Sequence, residues 1–405
     1  MKEYFLEELL QIKNGKDHKH LNDGNIPVFG SGGIMRYGNQ AIYNDESILL
    51  PRKGTLTNIQ FVNKPFWTVD TIYYTIINKE KSNPLYLYHY LKQLDLSYLN
   101  SGTGVPSMTF GAYYQVKVNL PSLDIQQKIA KVLSDLDTKI ELNNSINSEL
   151  EAMAKTLYDY WFVQFDFPDG NGKPYKSSGG KMVWNEELNR EIPEGWENIK
   201  LQDLCHKIGD GIHGTPKYVE KSEYSFINGN NLKNGFIQTD NETKKVSLEE
   251  YEKYFIPLNE NSILLSINGT LGNLAVFTGE KVMLGKSSAY INCKENNRAY
   301  CYQFLKQEHM PSLFWNIATG STIKNLSLDS IKKLKILKPN NNLIEHFHLK
   351  TKAIDDKRKN IFIENQELAS LRDWLLPMLM NGQVTVDDVE EELGMVAEET
   401  EIYRK

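Results

Sequence analysis

The chain contains the same unit twice, and this repetition limits its fold more than any other feature. Asn44 to Asn58 reads NDESILLPRKGTLTN, and Asn259 to Asn273, 215 positions later, reads NENSILLSINGTLGN, with nine of the fifteen positions identical. Farther on, SGTGVPSMTF at Ser101 to Phe110 faces TGSTIKNLSL at Thr319 to Leu328, and the offset has become 218. It then stays constant through Gly102 and Gly320, Pro121 and Pro339, Asp137 and Asp355, Lys139 and Lys357, Asn147 and Asn365, and Glu149-Leu150 and Glu367-Leu368. A small insertion in the second copy accounts for the drift. Solenoid repeats run about 20–50 residues, so a period this long reads as body, helix, body, helix. A length of 405 residues suits two or three domains at ~100–200 residues each.

Each body reads as mixed α/β. Ser47 to Leu50 and Ser262 to Leu265 are short apolar runs stopped by Gly-Thr, the pattern of a buried strand entering a turn. Phe66 to Asn78 is rich in β-branched and aromatic residues, whereas Leu85 to Leu99 has helical periodicity. The surrounding segments diverge: IPVFGSGGIMRYGNQ in the first body has no close match in the second, where EYSFINGNNLKNGFIQ takes its place. A shared frame carries different loops.

The long helices carry a heptad seam. Phe347, Ile354, Ile361, Leu368 and Leu375 recur every seven residues. Shifted by 218, they become Ile129, Leu136, Asn143, Leu150 and Leu157, with Leu133, Ile140, Asn147 and Ala154 filling the second seam. Pro121 and Pro339 precede the two starts, as expected for helix entry. Forty residues rising 1.5 Å each give a rod of roughly 60 Å. Asn143 and Asn147 either fix register as a buried polar pair or face solvent on a slightly rotated helix. One such helix per copy predicts two rods paired antiparallel as a coiled coil, with the bodies related by a pseudo-twofold axis. Duplex DNA has local twofold symmetry too, so two bodies on a rigid rod would meet two separated sites.

Composition sets bounds on function. The net charge of −6 argues at first against a polyanionic partner, but the eight acids from Asp387 to Glu401, against Arg404 and Lys405, account for all of it. The two bodies are each mildly basic, which permits DNA binding through local patches. No window approaches the ~20 apolar residues of a membrane helix. The opening MKEYFLEELLQIKNGK has acids where a signal peptide has a basic region, so a cytoplasmic protein is expected. Cys205, Cys293 and Cys301 are too few and too widely spaced for a disulfide framework or a four-ligand zinc site.

Three segments together resemble the DNA-specificity subunit of type I restriction-modification enzymes: LPSLDIQQKIAKVLSDLDTKIELNNSINSELEAMAKTLYDYWFVQFDF, the connector GKPYKSSGGKMVWNEELNREIPEGWE, and the terminal LRDWLLPMLMNGQV. The resemblance spans almost the whole chain. It implies two target-recognition domains, at 1–121 and 196–340, and two long helical spacers, at 122–167 and 341–382. A linker at 168–195 and an acidic tail at 383–405 complete the division. It also implies a noncatalytic subunit, each of whose target-recognition domains reads one part of a split, asymmetric DNA site. The implied partners are double-stranded DNA, two methyltransferase (modification) subunits and restriction/translocase subunits. S-adenosylmethionine, ATP and Mg would be bound by those partners, with no cofactor on this chain. The first body departs from the pattern by lacking a partner for Pro193-Glu194-Gly195-Trp196, which opens the second.

Chemistry of the chain's own finds little support. Gly279 to Ser287 looks like a phosphate-binding loop, but five residues separate its glycines where the motif needs four. Phe29 to Gly33 fails the G-x-G-x-x-G test because Met35 stands at the third Gly. Neither Asn-Pro-Pro-aromatic nor Asp-Pro-Pro-aromatic occurs, so methylation is expected from a partner. His18 with His20, and His346 with His348, have no third ligand nearby and read as surface residues; no catalytic or metal site is expected.

Base readout needs side chains that match the donor and acceptor pattern of base edges, carried on exposed turns. In the first body the candidates are Arg36, Arg52, Lys53, Asn58, Gln60, Ser107 and Thr109; in the second they are Lys217, Asn230, Asn231, Lys233, Asn268, Lys286, Ser287, Lys324 and Asn325. Gly54-Thr55 and Gly269-Thr270 recur in both copies and are expected to shape a turn. A coiled-coil protein-interaction scaffold without DNA specificity is the alternative; it explains the rods but not divergent polar loops on matched frames.

Overall fold

The two SILL segments fold as the same element. Ser47–Pro51 and Ser262–Ser266 are strands buried along their whole length, which is why they read as continuous apolar runs. The computed structural model describes residues 1–102, 104–321, 323–386 and 388. The chain divides into two units, Met1–Leu142 with the segment from Asn365 onward, and Asn143–Glu364. Most of the acidic tail lies outside the described residues.

In the first unit, Ser47–Pro51 sits in a four-stranded antiparallel sheet between Ile72–Ile77 and Gln60–Val62, with Leu10–Asn14 beyond. A second sheet holds the hairpin Ile26–Gly30 and Gly33–Gly38, and Trp67–Thr68 runs parallel to its first strand. Lys2–Phe5 pairs antiparallel with Lys117–Leu120. The helix Pro84–Gln93 starts where Pro is tolerated, and the Asn83 side chain accepts a hydrogen bond from the Tyr86 amide at its N-terminus.

The second unit repeats this frame and adds to it. Ser262–Ser266 lies in a six-stranded sheet, flanked by Ser288–Cys293 and Leu274–Val276. A four-stranded sheet joins Tyr218–Val219, Lys245–Val246, Tyr224–Ile227 and Val282–Leu284, the last two parallel. Glu197–Lys200 pairs antiparallel with Lys335–Lys338, matching the first unit's terminal pair. The stretch read as a linker, 168–195, is folded: Met182–Asn185 and Arg190–Pro193 form a hairpin, and Ile192 is buried in this unit's core, as are Phe165, Phe167 and Trp196 on either side of the stretch. Phe165 holds a left-handed backbone conformation, φ +68°, with the Arg190 guanidinium 4.6 Å from its ring centre. The three cysteines are buried free thiols.

Each unit also takes part of two long helices, Leu123–Tyr158 and Asn341–Asn381, of 36 and 41 residues. In the first unit Ile125 and Ile129 lie near Leu379, while Asp137 Oδ1 is 2.7 Å from Arg372 Nη1. In the second unit Asn143 Nδ2 donates to Glu364 Oε2 at 2.9 Å, Arg358 Nη2 is 3.1 Å from Glu151 Oε1, and Tyr158 packs edge-on against Phe347. Within either unit, then, partners advance along one helix as they recede along the other. The seam positions Ile129, Leu136, Phe347, Ile361 and Leu375 are buried, and Leu150, Leu157, Ile354 and Leu368 half-buried. Asn143 is buried against the other helix and not turned to solvent. Pro377 lies inside the second helix near its end.

Candidate nucleic-acid interface

Strand direction gathers the polar loops of the second unit at one place. Tyr224–Ile227 and Val282–Leu284 are parallel, so the loops that follow them, Asn228 to Asn231 and Gly285 to Ser287, emerge at the same end. Ser266 pairs with Ser288, which brings the Ile267 to Asn273 turn alongside. Side-chain hydroxyls and amides then join the loops. Ser287 Oγ donates to Asn228 Oδ1 at 2.9 Å and accepts from the Gly229 amide at 2.9 Å. The Ile267 amide donates to the Ser287 carbonyl and the Leu326 amide to the Ile267 carbonyl, both at 2.9 Å. Asn268 forms a bridge with Asn325.

Of the second-body candidates, Asn230, Lys233, Lys286 and Asn325 are exposed on this face, and Asn231, Asn268, Ser287 and Lys324 are half-buried. Asn231 is engaged locally, with Nδ2 donating to the Gln238 carbonyl at 3.0 Å. Lys217 is exposed beside the strand Tyr218–Val219, and its amide donates to Glu250. A polar cleft of about 310 Å³ opens between Asn228, Asn230, Lys233, Gln238, Thr239 and Lys244. Asp240 lies on its rim, with a carboxyl held below the usual range by its hydrogen bond to Thr243.

In the first unit the turn after Ser47–Pro51 plays the same part. The Arg52 and Lys53 amides donate to the Thr71 carbonyl at 3.0 and 3.2 Å, and Lys53 forms a bridge with Ser107. Lys53 and Asn268 are 215 positions apart and Ser107 and Asn325 are 218 apart, so the two bridges are the same contact made in each copy. Two candidates are used to hold the neighbouring hairpin. Asn58 Nδ2 donates to the Ser31 carbonyl at 2.8 Å, and Gln60 Nε2 to the Gly30 carbonyl at 3.2 Å. Arg52 Nη1 donates to the Asp70 carbonyl at 3.2 Å. Arg52, Lys53, Asn58, Gln60 and Ser107 therefore come together.

Arg36 and Thr109 have local structural partners. Arg36 sits three residues beyond the hairpin turn, roughly 10 Å along the strand, and bonds Asp23 at 2.8 Å and the Leu21 carbonyl at 3.2 Å. Thr109 Oγ1 caps the helix Phe110–Tyr114 by accepting from the Ala112 amide. Ser327 caps the equivalent helix in the second copy. The cleft in the second unit also takes in Gln238, Thr239 and Lys244, which no repeated motif in the sequence marks. Gly54 and Gly269 hold φ of +87° and +76°, so these shared glycines do shape the turn. Among the described residues, no group of three or more His, Cys, Asp or Glu is placed to hold a metal ion.

Comparison with known proteins bears on what such a face is for. Residues 1–152 and 193–347 match the family model for the type I restriction modification DNA specificity domain. The MjaIX type I restriction enzyme specificity subunit of Methanocaldococcus jannaschii is 28% identical over 363 residues, covering 86% of this chain and 80% of that one. The HindI specificity subunit of Haemophilus influenzae is 29% identical over 340 residues, covering 70% of this chain and 72% of its own. A crystal structure of a type I restriction-modification S subunit from M. genitalium shares the fold, with a TM-score of 0.59 and 15% identity over 93% of this chain and 95% of that one. The match runs through both bodies, most of the first long helix and the start of the second, and the chain belongs to the DNA specificity family of type I restriction-modification systems, as a subunit that recognises DNA sequence.

Proposed function

We propose that each body, with boundaries near 1–121 and 196–340, reads one half of a bipartite, asymmetric DNA site. On this reading the long helices, paired as a coiled coil, space the two readers and dock two methyltransferase subunits. The chain contributes recognition and no catalysis. Methyl transfer with S-adenosylmethionine, and translocation and cleavage with ATP and Mg, belong to the modification and restriction subunits. The reaction takes place in the cytoplasm, where the DNA is.

The observation that carries this reading is the pair of matched bridges. Lys53 with Ser107 and Asn268 with Asn325 place the same polar turn in both bodies, while the side chains and loops around it differ. A common frame with unlike polar contents is what two readers of unlike half-sites need. A plain scaffold has no use for it.

The test is to map methylated adenines in the host genome with and without this gene, and to titrate binding of the co-expressed complex to the mapped site with salt. A single split motif that disappears with the gene supports the proposal. Its binding should weaken steeply with salt yet survive competition by unrelated DNA. An unchanged methylation pattern would rule it out.

A further inference from the structure

In each unit the loop beside the reading turn ends in an exposed β-branched apolar residue. Val105 in the first is 61% exposed and Ile323 in the second 62%, and the two stand 218 positions apart, in the register of the repeat. A solitary exposed aliphatic needs no explanation. Recurrence at one position, where the residues on either side have diverged from Gly104, Pro106 and Ser107 to Thr322, Lys324 and Asn325, does.

Backbone contacts close both loops. The neck of each loop is closed by backbone hydrogen bonds: the Ser101 amide donates to the Ser107 carbonyl at 2.9 Å in the first, and in the second the Thr319 amide donates to the Asn325 carbonyl at 2.9 Å and the Asn325 amide to the Thr319 carbonyl at 2.8 Å. The carbonyl of the apolar residue itself packs on a glycine. A Cβ on Gly102 would meet the Val105 oxygen at 2.0 Å, and one on Gly320 would meet the Ile323 oxygen at 2.3 Å. Branching at Cβ restricts χ1 as well. Polar and cationic groups flank each residue. The Gly54 amide, next to exposed Lys53, donates to the Pro106 carbonyl at 3.0 Å. Lys324, adjoining Ile323, holds its ammonium 5.3 Å from the Trp315 ring centre.

We propose that Val105 and Ile323 are equivalent apolar wedges, each pressed against a base step in the DNA minor groove to bend the duplex toward its reader. The inference rests on the DNA-recognition reading and adds to it a contact that carries no sequence information. If these side chains discriminated bases, for instance by touching a thymine methyl, two bodies reading unlike half-sites would not both keep the same kind of residue. A wedge needs only a stiff apolar side chain with cations nearby for the flanking phosphates, and the extra contacts of a bent duplex offset the unstacking.

The experiment uses the full chain co-expressed with its methyltransferase partner and a duplex bearing the mapped motif, labelled at both ends for energy transfer. Val105→Ser combined with Ile323→Ser should straighten the bound duplex and weaken binding by about tenfold, with the methylated motif unchanged. Val105→Ile with Ile323→Val should preserve both bend and affinity. A wild-type complex that leaves its DNA straight would overturn the proposal, as would serine variants that bend and bind normally. A changed base preference in one half-site would make these residues readers, and loss of the methyltransferase on purification would make them a protein contact; either result refutes the wedge. Absence of any specific binding by the wild-type complex is a different outcome, because it removes the recognition reading itself.

Discussion

The two bodies share a frame to within single hydrogen bonds and differ at its edges. Both begin with a strand paired to the body's last strand, both turn through a positive-φ glycine after a buried strand, and both fix that turn to a loop closed at its neck. Around this frame the first has a three-stranded sheet whose hairpin exposes Ile34, Met35 and Tyr37. The second instead has a four-stranded sheet around a polar cleft. What repeats is backbone geometry, and what diverges is the set of side chains available to a ligand. On the proposed function, the frame is common to both readers and specificity lies at its periphery.

The strongest way to break that comparison is to exchange one body. Replacing residues 1–120 with the first body of another family member should substitute one half of the methylated motif and leave the other half as it was. The measurement is the genome-wide methylation pattern; a change in both halves would mean that the bodies do not read independently.

Next in size is a buried ion cluster in the second unit. Arg358 is 4% exposed. Its guanidinium lies 5.3 Å from the Phe236 ring centre and 3.1 Å from Glu151, which also takes a hydrogen bond from the Tyr302 hydroxyl and pairs with Lys306. Arg358→Ala should destabilise this unit by about 3 kcal/mol, since it strips the half-buried Glu151 carboxylate of one of its cations and leaves a gap over Phe236. Thermal unfolding of the purified complex would measure it.

An acid titration should weigh more on the first unit than on the second, where burial also lowers the pKa of the half-buried His348. His89, on the helix Pro84–Gln93, is 7% exposed, and burial pushes its pKa down to about 4, with Lys92 and Arg372 adding to the shift and Asp137 opposing it. Its counterpart on the helix Arg298–Leu305, counted from Asn83 and Asn297, is Gln303, which does not titrate. A histidine kept neutral in the folded state takes up its proton more readily when unfolded. The first unit should therefore hold its full stability above pH 6.5 and lose about 3 kcal/mol as the pH falls from there to 4. His89→Gln should flatten that dependence in chemical unfolding followed at several pH values.

Smaller again, on the proposed function, is the effect of one candidate reader. Asn268→Ala should cost about 1–3 kcal/mol of discrimination at one base pair, relaxing one half of the motif only. Competition binding with single-base variants of the site would show it.

How much of this was legible in sequence depended on the range of the interaction. Local pattern revealed the buried strands at Ser47 and Ser262, the helical seam from Phe347 to Leu375 and the repeat itself, because each is a periodicity within a few turns or a copy of itself. The partners of individual polar residues were not legible. Asn58 and Gln60 hydrogen-bond backbone about thirty residues away, Arg36 reaches Asp23, and Asn143 meets Glu364 across 221 positions. Composition cannot distinguish an amide that holds a turn from one that is free to meet a base. Burial of Arg358 was hidden for a related reason, since its charge masks a position enclosed by Phe236 and Glu151.

The helices offer the mildest test and the sharpest contrast. Arg372 meets Asp137 at 2.7 Å in the first unit, as Arg358 meets Glu151 in the second, but the side chains of Arg372 and Asp137 are 29% and 37% exposed. Water already solvates much of both charges, and salt screens what remains. Arg372→Ala should therefore cost less than about 1 kcal/mol and grow weaker still with added salt. Arg358→Ala should remain costly whatever the ionic strength. Equal losses from the two substitutions would mean that burial is not what separates these helix contacts. If the Arg372 loss instead faded with salt, its pair would be a surface contact that the apolar seam tolerates and does not need.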